Sequence, residues 1–174
     1  LKKYTHNPFE LIVIDNNSTD GSADFFEQEG AIVIRNEKNF SYPHSQNQGI
    51  DIAKFNWLAF LNNDIIVAPK WDKYLIESAE KNSLDILTSC GNECVENDNT
   101  TKKMRRKWLR IKNFVGLLGY SEKNLIRLHK LMYGNWEKFC NNRYSKFRQQ
   151  IITGCVGHSV FMSRNGLEKI GLFD

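Results

Sequence analysis

An apolar run that stops abruptly in a cluster of turn residues is the most restrictive feature of this chain. Phe9 to Ile14 reads FELIVI, short and rich in β-branched residues, the pattern of a strand buried on both faces of a parallel sheet. It passes directly into Asp15-Asn16-Asn17-Ser18-Thr19-Asp20-Gly21-Ser22, residues that favour turns and helix starts. A strand, a loop and a helix N-terminus must therefore follow one another.

The same rhythm continues. Ala23 to Glu29 reads as a short helix stopped by Gly30, and Ala31 to Arg35 as a second buried strand. After a polar loop from Asn36 to Pro43, His44 to Phe55 carries Ile50 and Ala53 on one helical face. Trp57 to Leu61 (WLAFL) is a third strand ending in Asn62-Asn63-Asp64. Pro69 suits the first turn of a helix running to about Lys81, with Trp71, Tyr74, Leu75 and Ala79 as its apolar stripe. Leu84 to Ser89 is the expected fourth strand. This alternation predicts an α/β fold with a mostly parallel, Rossmann-like sheet flanked by helices and ligand sites beyond the C-terminal ends of the strands. Asp15 and Asp64 both fall at such ends.

From about residue 100 to 150 the pattern becomes basic, aromatic and helical, with helices expected over Met104 to Leu118, Ser121 to Tyr133 and Trp136 to Arg148. Ile151 to Ser163 then returns to strand character, and Asn165 to Ile170 makes a short helix closed by Gly171. The insert interrupts one fold, and 174 residues suit one domain spanning 1–174. Charge is divided in the same way. Between Lys102 and Arg148 there are 14 Lys/Arg against two acids, whereas the rest of the chain has 10 against 18, so the formal net charge of +4 conceals a basic insert on an acidic core.

No stretch approaches the roughly 18 apolar residues of a membrane span, and the first residues lack the apolar region of a signal peptide, so a cytoplasmic location is expected. Cys90, Cys94, Cys140 and Cys155 are spaced too irregularly for a zinc site and read as reduced structural thiols.

At the end of the first strand, the Asp15 carboxylate can face a ligand while nearby helix N-terminal amides favour an anion such as phosphate. The alternative is that Asp15 and Asp20 simply cap the following helix. Asn62-Asn63-Asp64 poses the same choice. Hard cations such as Mg²⁺ or Mn²⁺ bind through one or two carboxylates together with substrate phosphates, Asp64 supplying the carboxylate and Asn62 a neutral oxygen. Read alone, such a segment is an ordinary turn more often than a metal site.

Taken in order, FELIVIDNNSTDGS, the helix ending in SQNQGI, WLAFLNND and ITGCVGHSVFMSRNGLEKIGLFD resemble successive motifs of the family 2 glycosyltransferases with the GT-A fold. The resemblance covers about Phe9 to Val67 and Ile151 to Asp174. It implies a nucleotide-sugar site in which Asp15 contacts the nucleobase, with Asn17 in the same loop, and Asn62, Asn63 and Asp64 stand at the D-x-D metal and diphosphate position. Asp64 matches the second acid of that motif, while Asn62 departs from the first. Asn39, Asn47 and Gly49 match the loop and helix start beside the nucleotide. Gly154 and Cys155 match the compact segment bordering the donor sugar.

The implied reaction is inverting transfer from a UDP- or dTDP-linked sugar, assisted by Mn²⁺ or Mg²⁺, to a saccharide or lipid-linked acceptor in bacterial surface polysaccharide synthesis. The resemblance further places the catalytic base beyond Asp174 and one strand ahead of Phe9, so that the sequence reads as a donor-binding portion cut at both ends. A nucleotide-sugar-binding domain without turnover is the alternative. In the insert, Trp108, Phe114, Tyr120, Tyr133, Trp136, Phe139, Tyr144 and Phe147 stand among the positive charges. That composition suits peripheral contact with the inner face of a membrane, and equally an ordinary helical subdomain with buried aromatics. Nucleic-acid binding through the same helices leaves both strand-end motifs unexplained, and no nucleic-acid partner is expected.

Overall fold

The computed structural model describes residues 1–91, 94–147, 150–154, 157 and 159–174. Strand β1 (Ile12–Asp15) leads through the Asn-rich loop into α1 (Ser22–Gln28), and β2 (Ile32–Arg35) returns beside β1 in parallel register, Ile12 opposite Ile32 and Asp15 opposite Arg35. Arg35 reaches back to Glu27 (2.8 Å) and Asp24 (2.6 Å) of α1, which raises its pKa and ties helix to strand at the exposed surface. Helix α2 (Tyr42–Ile52) starts at Ser41, whose hydroxyl accepts the His44 N–H, with Pro43 in the first turn.

Strand β3 (Trp57–Leu61) belongs to a second sheet. After α3 (Trp71–Asn82), the two-residue β4 (Ile86–Leu87) and the helices α4 (Asp98–Gly116), α5 (Glu122–Tyr133) and α6 (Trp136–Phe147), the chain returns as β5 (Ser159–Ser163) and ends in α7 (Arg164–Ile170). β5 inserts between β3 and β4 and runs antiparallel to both. The mostly parallel sheet expected from the alternation is thus corrected. Among the described residues there is one parallel pair, β1-β2, and one antiparallel triple, β3-β5-β4. Alternation fixes the sense of each βαβ unit, but not where a strand returning after some 70 residues will pair. β1 and β2 are also only partly covered, Ile32 being 40% exposed, so the expectation of strands buried on both faces fails for this pair.

Helix α2 joins the two sheets. Gly49 lies over Ile12 and Ile14 of β1, while Ile50 enters the core cluster with Leu58 of β3, Met162 of β5 and Leu167 of α7. A side chain at 49 would meet the Ile12 and Ile14 methyls at 3.9 Å, so the helix sits close to β1 without crowding it. Phe173 closes the cluster, edge-on to Phe60 with ring centroids 5.1 Å apart.

Asp72, read only as part of an apolar helix, is 5% exposed and accepts the backbone N–H groups of His6 (2.8 Å) and Asn7 (2.7 Å) and the Asn7 side-chain amide (2.8 Å). It fastens the N-terminal segment to α3, since a buried carboxylate must be matched by donors. The insert is helical as expected, with α4 packed on α5. Most of its aromatics turn inward. His129, Tyr133, Trp136 and Phe139 form one cluster, the Trp136 indole N–H reaches the Val67 carbonyl (3.1 Å), and Tyr144 stacks on Tyr74 at 3.6 Å. Cys90, Cys94 and Cys140 are free thiols, and burial pushes that of Cys140 up to about 11. Cys155 lies outside the described residues, as does Arg148, the expected end of the third insert helix.

Candidate functional site

Asp15 is the last residue of β1 and is buried at 8% exposure. Its Oδ2 accepts the Ser18 N–H at 3.2 Å, and its carbonyl accepts the Asn36 N–H at 2.8 Å, which extends the β1-β2 pairing by one rung. Helix α1 has Gly21 as its N-cap with no side-chain cap bond, and just ahead of it the Oδ1 of Asp20 accepts the Ser22 N–H at 3.0 Å, a contact with Ser22 that lowers the Asp20 pKa. Asp15 is therefore no cap. It closes a turn and leaves a buried carboxylate at the strand end.

The loop it opens is held by a polar network that no sequence motif announced. The Asn16 amide donates to the Ser45 hydroxyl (3.0 Å) and the Phe40 carbonyl (3.3 Å), while its Oδ1 accepts from Asn36 (2.7 Å) and Ser45 (3.2 Å). Asn36 and Gln48 exchange a reciprocal pair of bonds, both 2.9 Å. Four residues, Asn16 and Asn36 directly after β1 and β2 with Ser45 and Gln48 of α2, thereby fix one loop wall. Asn17 follows at φ 66°, a left-handed conformation that asparagine tolerates better than most residues, and is exposed.

Asn39 is likewise exposed, on the loop before α2. Asn47 is not presented to solvent. Its amide nitrogen donates to the Phe173 carbonyl (2.8 Å) and its oxygen accepts the Phe173 N–H (3.0 Å), a two-point clamp between α2 and the end of the chain.

Asn62, Asn63 and Asp64 leave the end of β3 as an exposed turn. They follow a different sheet from Asp15, linked to it through α2, so the single sheet edge expected to carry both motifs is replaced by two strand ends. Among the described residues no cluster of three or more His, Cys, Asp or Glu could hold a metal ion. One carboxylate and one amide oxygen make an incomplete shell, which fits a hard cation only when phosphate oxygens and water fill the remaining positions. Gly154 has φ 128°, a conformation closed to most side chains, and nothing lies within 4 Å of where its Cβ would be. Its expected neighbour Cys155 is outside the described residues.

Comparison with known proteins identifies the family. The stretch matched in the hyaluronan synthase of Pasteurella multocida is 30% identical over 93 residues, half of this chain and 10% of that protein. An uncharacterized glycosyltransferase, EpsJ, of Bacillus subtilis is 27% identical over 95 residues, 52% of this chain and 27% of that one. The glycosyltransferase GlyG of Streptococcus pneumoniae is 26% identical over 92 residues, half of this chain and 31% of GlyG. The chain thus spans well under half the length of each of these relatives. The pattern of glycosyl transferase family 2 extends over residues 1–171, and the chain belongs to that family.

Proposed function

We propose that this chain forms the donor-binding part of an inverting glycosyltransferase of surface polysaccharide synthesis. It takes a UDP- or dTDP-linked sugar with Mn²⁺ or Mg²⁺, serves a saccharide or lipid-linked acceptor, and works in the cytoplasm in peripheral contact with the membrane. The observation that carries this reading is the buried Asp15 at a strand end within a chain whose family match runs over 1–171. A relative named for hyaluronan synthesis supports a glycan product.

In this reading Asp15 faces the nucleobase from the turn that Ser18 closes, with Asn17 and Asn39 exposed on the flanking loops. Asn62, Asn63 and Asp64 meet the diphosphate, and Asp64 with Asn62 holds the cation between protein and phosphate oxygens. When bound, that cation stabilises the departing diphosphate. Gly154 lets backbone approach the donor sugar. Asn47, whose amide is spent on Phe173, positions α2 beside the donor. None of these residues is assigned the part of the base.

Calorimetric titration of the full-length protein with UDP and Mn²⁺, repeated for Asp64→Ala and Asp15→Ala, tests the assignment. A hydrogen bond to a charged group is worth about 1.5–3 kcal/mol, so each substitution is expected to weaken binding by about tenfold to a hundredfold, with thermal unfolding as the check on folding. Failure of the wild type to bind any nucleoside diphosphate from a broad panel, or unchanged affinity in both variants, overturns it.

A further inference from the structure

We infer that the tip and outer face of the α4-α5 hairpin form a docking surface for an anionic lipid bilayer. The inference deepens the membrane side of the proposed function and rests on that reading for its biological use, but its physical grounds are separate. They begin at the turn between the helices. Phe114, Leu117, Leu118, Tyr120 and Ile126 are all at least 60% exposed, with Leu117 at 84%. Turns of soluble proteins favour Gly, Pro, Asn, Asp and Ser, and a soluble chain seldom gathers bulky apolar side chains at one exposed tip.

The tip is built rather than loose. Gly119 turns the chain at φ 82°, and buried Asn124 donates to the carbonyls of Leu118 (2.8 Å) and Gly119 (3.0 Å). The Tyr120 ring lies over Gly116, where a Cβ would stand 2.7 Å from the phenol oxygen. The backbone's polar groups are thus satisfied within the turn while Leu117 and Leu118 project outward, so the ordering is already in place before contact.

Charge selects the occupant. Residues 98–133 contain ten Lys/Arg against two acids, Asp98 and Glu122. Lys102, Arg106 and Arg110 recur every four residues on the exposed side of α4, opposite the inward Met104, Trp108, Ile111 and Val115, and the same side ends at Leu117. No ion pair among the described residues engages a Lys or Arg of α4 or α5. A row of unpaired cations running into an apolar tip complements a negatively charged interface over a hydrocarbon layer. The structure also moves the contact away from the aromatics of α6, which are consumed by packing against α5, Val67 and Tyr74.

Co-sedimentation of the full chain with phosphatidylcholine vesicles, and with vesicles carrying 30% phosphatidylglycerol on the order of physiological anionic content, tests this directly. Binding is expected on the anionic vesicles alone. One basic residue near such a surface is worth about fivefold in partitioning, so R106Q/R110Q is expected to lose about 25-fold. Burying a leucine is worth tenfold or more, so L117S/L118S is expected to lose at least tenfold at equal charge. Both variants should keep the wild-type thermal midpoint and UDP affinity, since they change only exposed side chains, and a loss of UDP binding by the wild type would count against the sugar-nucleotide reading alone. Equal binding to both vesicle types, no binding, or vesicle binding indifferent to L117S/L118S overturns the inference. So does self-association abolished by L117S/L118S in a chain that ignores vesicles, which assigns the face to a second copy, or oligonucleotide binding without vesicle binding.

Discussion

Replacing Asn47 separates a residue that positions from one that touches the ligand. Its amide makes two bonds to the Phe173 backbone, 2.8 and 3.0 Å, across 126 residues of sequence. Each such bond contributes about 0.5–1.5 kcal/mol net. Asn47→Ala removes both and leaves a partly buried N–H and C=O of Phe173 to find water. The Phe173 ring, set against Phe60 and the Ile50-Leu58-Met162-Leu167 cluster, also loses its tether. A cost of about 2 kcal/mol follows, and for a chain of this size about 2–4 °C of Tm accompanies each kcal/mol, so Tm falls by about 4–8 °C.

Asn47→Asp sharpens the test. It keeps an acceptor for the Phe173 N–H but sets a carboxylate oxygen against the Phe173 carbonyl where a donor stood, and its Tm is expected to fall at least as far as that of Asn47→Ala. Thermal unfolding of both variants, combined with UDP titration well below their midpoints, separates the roles. A clamp predicts lower Tm with UDP affinity within about twofold of wild type. An unchanged Tm together with a large loss of UDP affinity would refute the clamp and return Asn47 to direct contact with nucleotide.

Two further outcomes test the frame around the site. Lys169 at 2.6 Å, with Ser163 and Asn165, holds the Asp85 carboxyl down at about 2 against an ordinary value of 3.8. A depressed carboxylate stabilises the folded state above its unfolded pKa and loses that contribution as pH falls through its folded one, so the Tm gap between wild type and Asp85→Asn should shrink between about pH 4 and pH 2; a gap constant over that range refutes the assignment. Gly166→Ala and Gly49→Ala should move stability in opposite directions in urea denaturation. The new Cβ at 166 would stand 2.8 Å from Asp85 Cβ and 3.1 Å from its carbonyl oxygen, costing about 1–3 kcal/mol. The one at 49 meets only methyls at 3.9 Å and gains about 0.5–1 kcal/mol of helix stability, so a destabilised Gly49→Ala would show α2 and β1 to be tighter than these distances allow.

Local signals carried most of the secondary structure. WLAFL forms β3 over the residues expected, and Gly30 and Gly171 stand just past the helices they were expected to stop, while α2 takes in Tyr42 and Pro43 of the expected loop and ends at Ile52 rather than Phe55. Helix α4 begins six residues before Met104 because Asn97 caps it, accepting the Thr100 N–H at 2.9 Å, while apolar periodicity alone starts only at Met104. The fourth strand shrinks from Leu84–Ser89 to two residues. Only Ile86 and Leu87 have ladder partners in β5, while at either end the Asp85 carbonyl accepts the Ser163 N–H at 2.8 Å and the Ser89 hydroxyl pairs with that of Ser159 at 2.6 Å. Sheet order was illegible, since the partners of β5 lie on either side of it by contacts spanning some 75 to 106 residues, beyond any local pattern.

The two halves of the candidate site differ in how they are held, and that difference was hidden in sequence for a physical reason. Asn16, Asn36, Ser45 and Gln48 are ordinary loop and helix residues taken singly, spread over 33 positions, and only the folded β1-β2-α2 unit brings their polar side-chain atoms within 2.7–3.2 Å. With those bonds made, the loop after Asp15 has its geometry before any ligand arrives, and a nucleotide meeting it need supply little ordering free energy. Asn62-Asn63-Asp64 was conspicuous in sequence, yet its three side chains are exposed and bring a single carboxylate. In the proposed reading, a cation at this turn would have one carboxylate from the protein and would gain further anionic ligands only with a diphosphate present. The structure therefore predicts coupling: Mn²⁺ alone binds weakly, UDP alone is held mainly by the preformed Asp15 wall, and each tightens the other by the same factor. Titrating Mn²⁺ with and without UDP, and UDP with and without Mn²⁺, measures the two factors, and Asp64→Ala should abolish the coupling while leaving the metal-free UDP affinity standing.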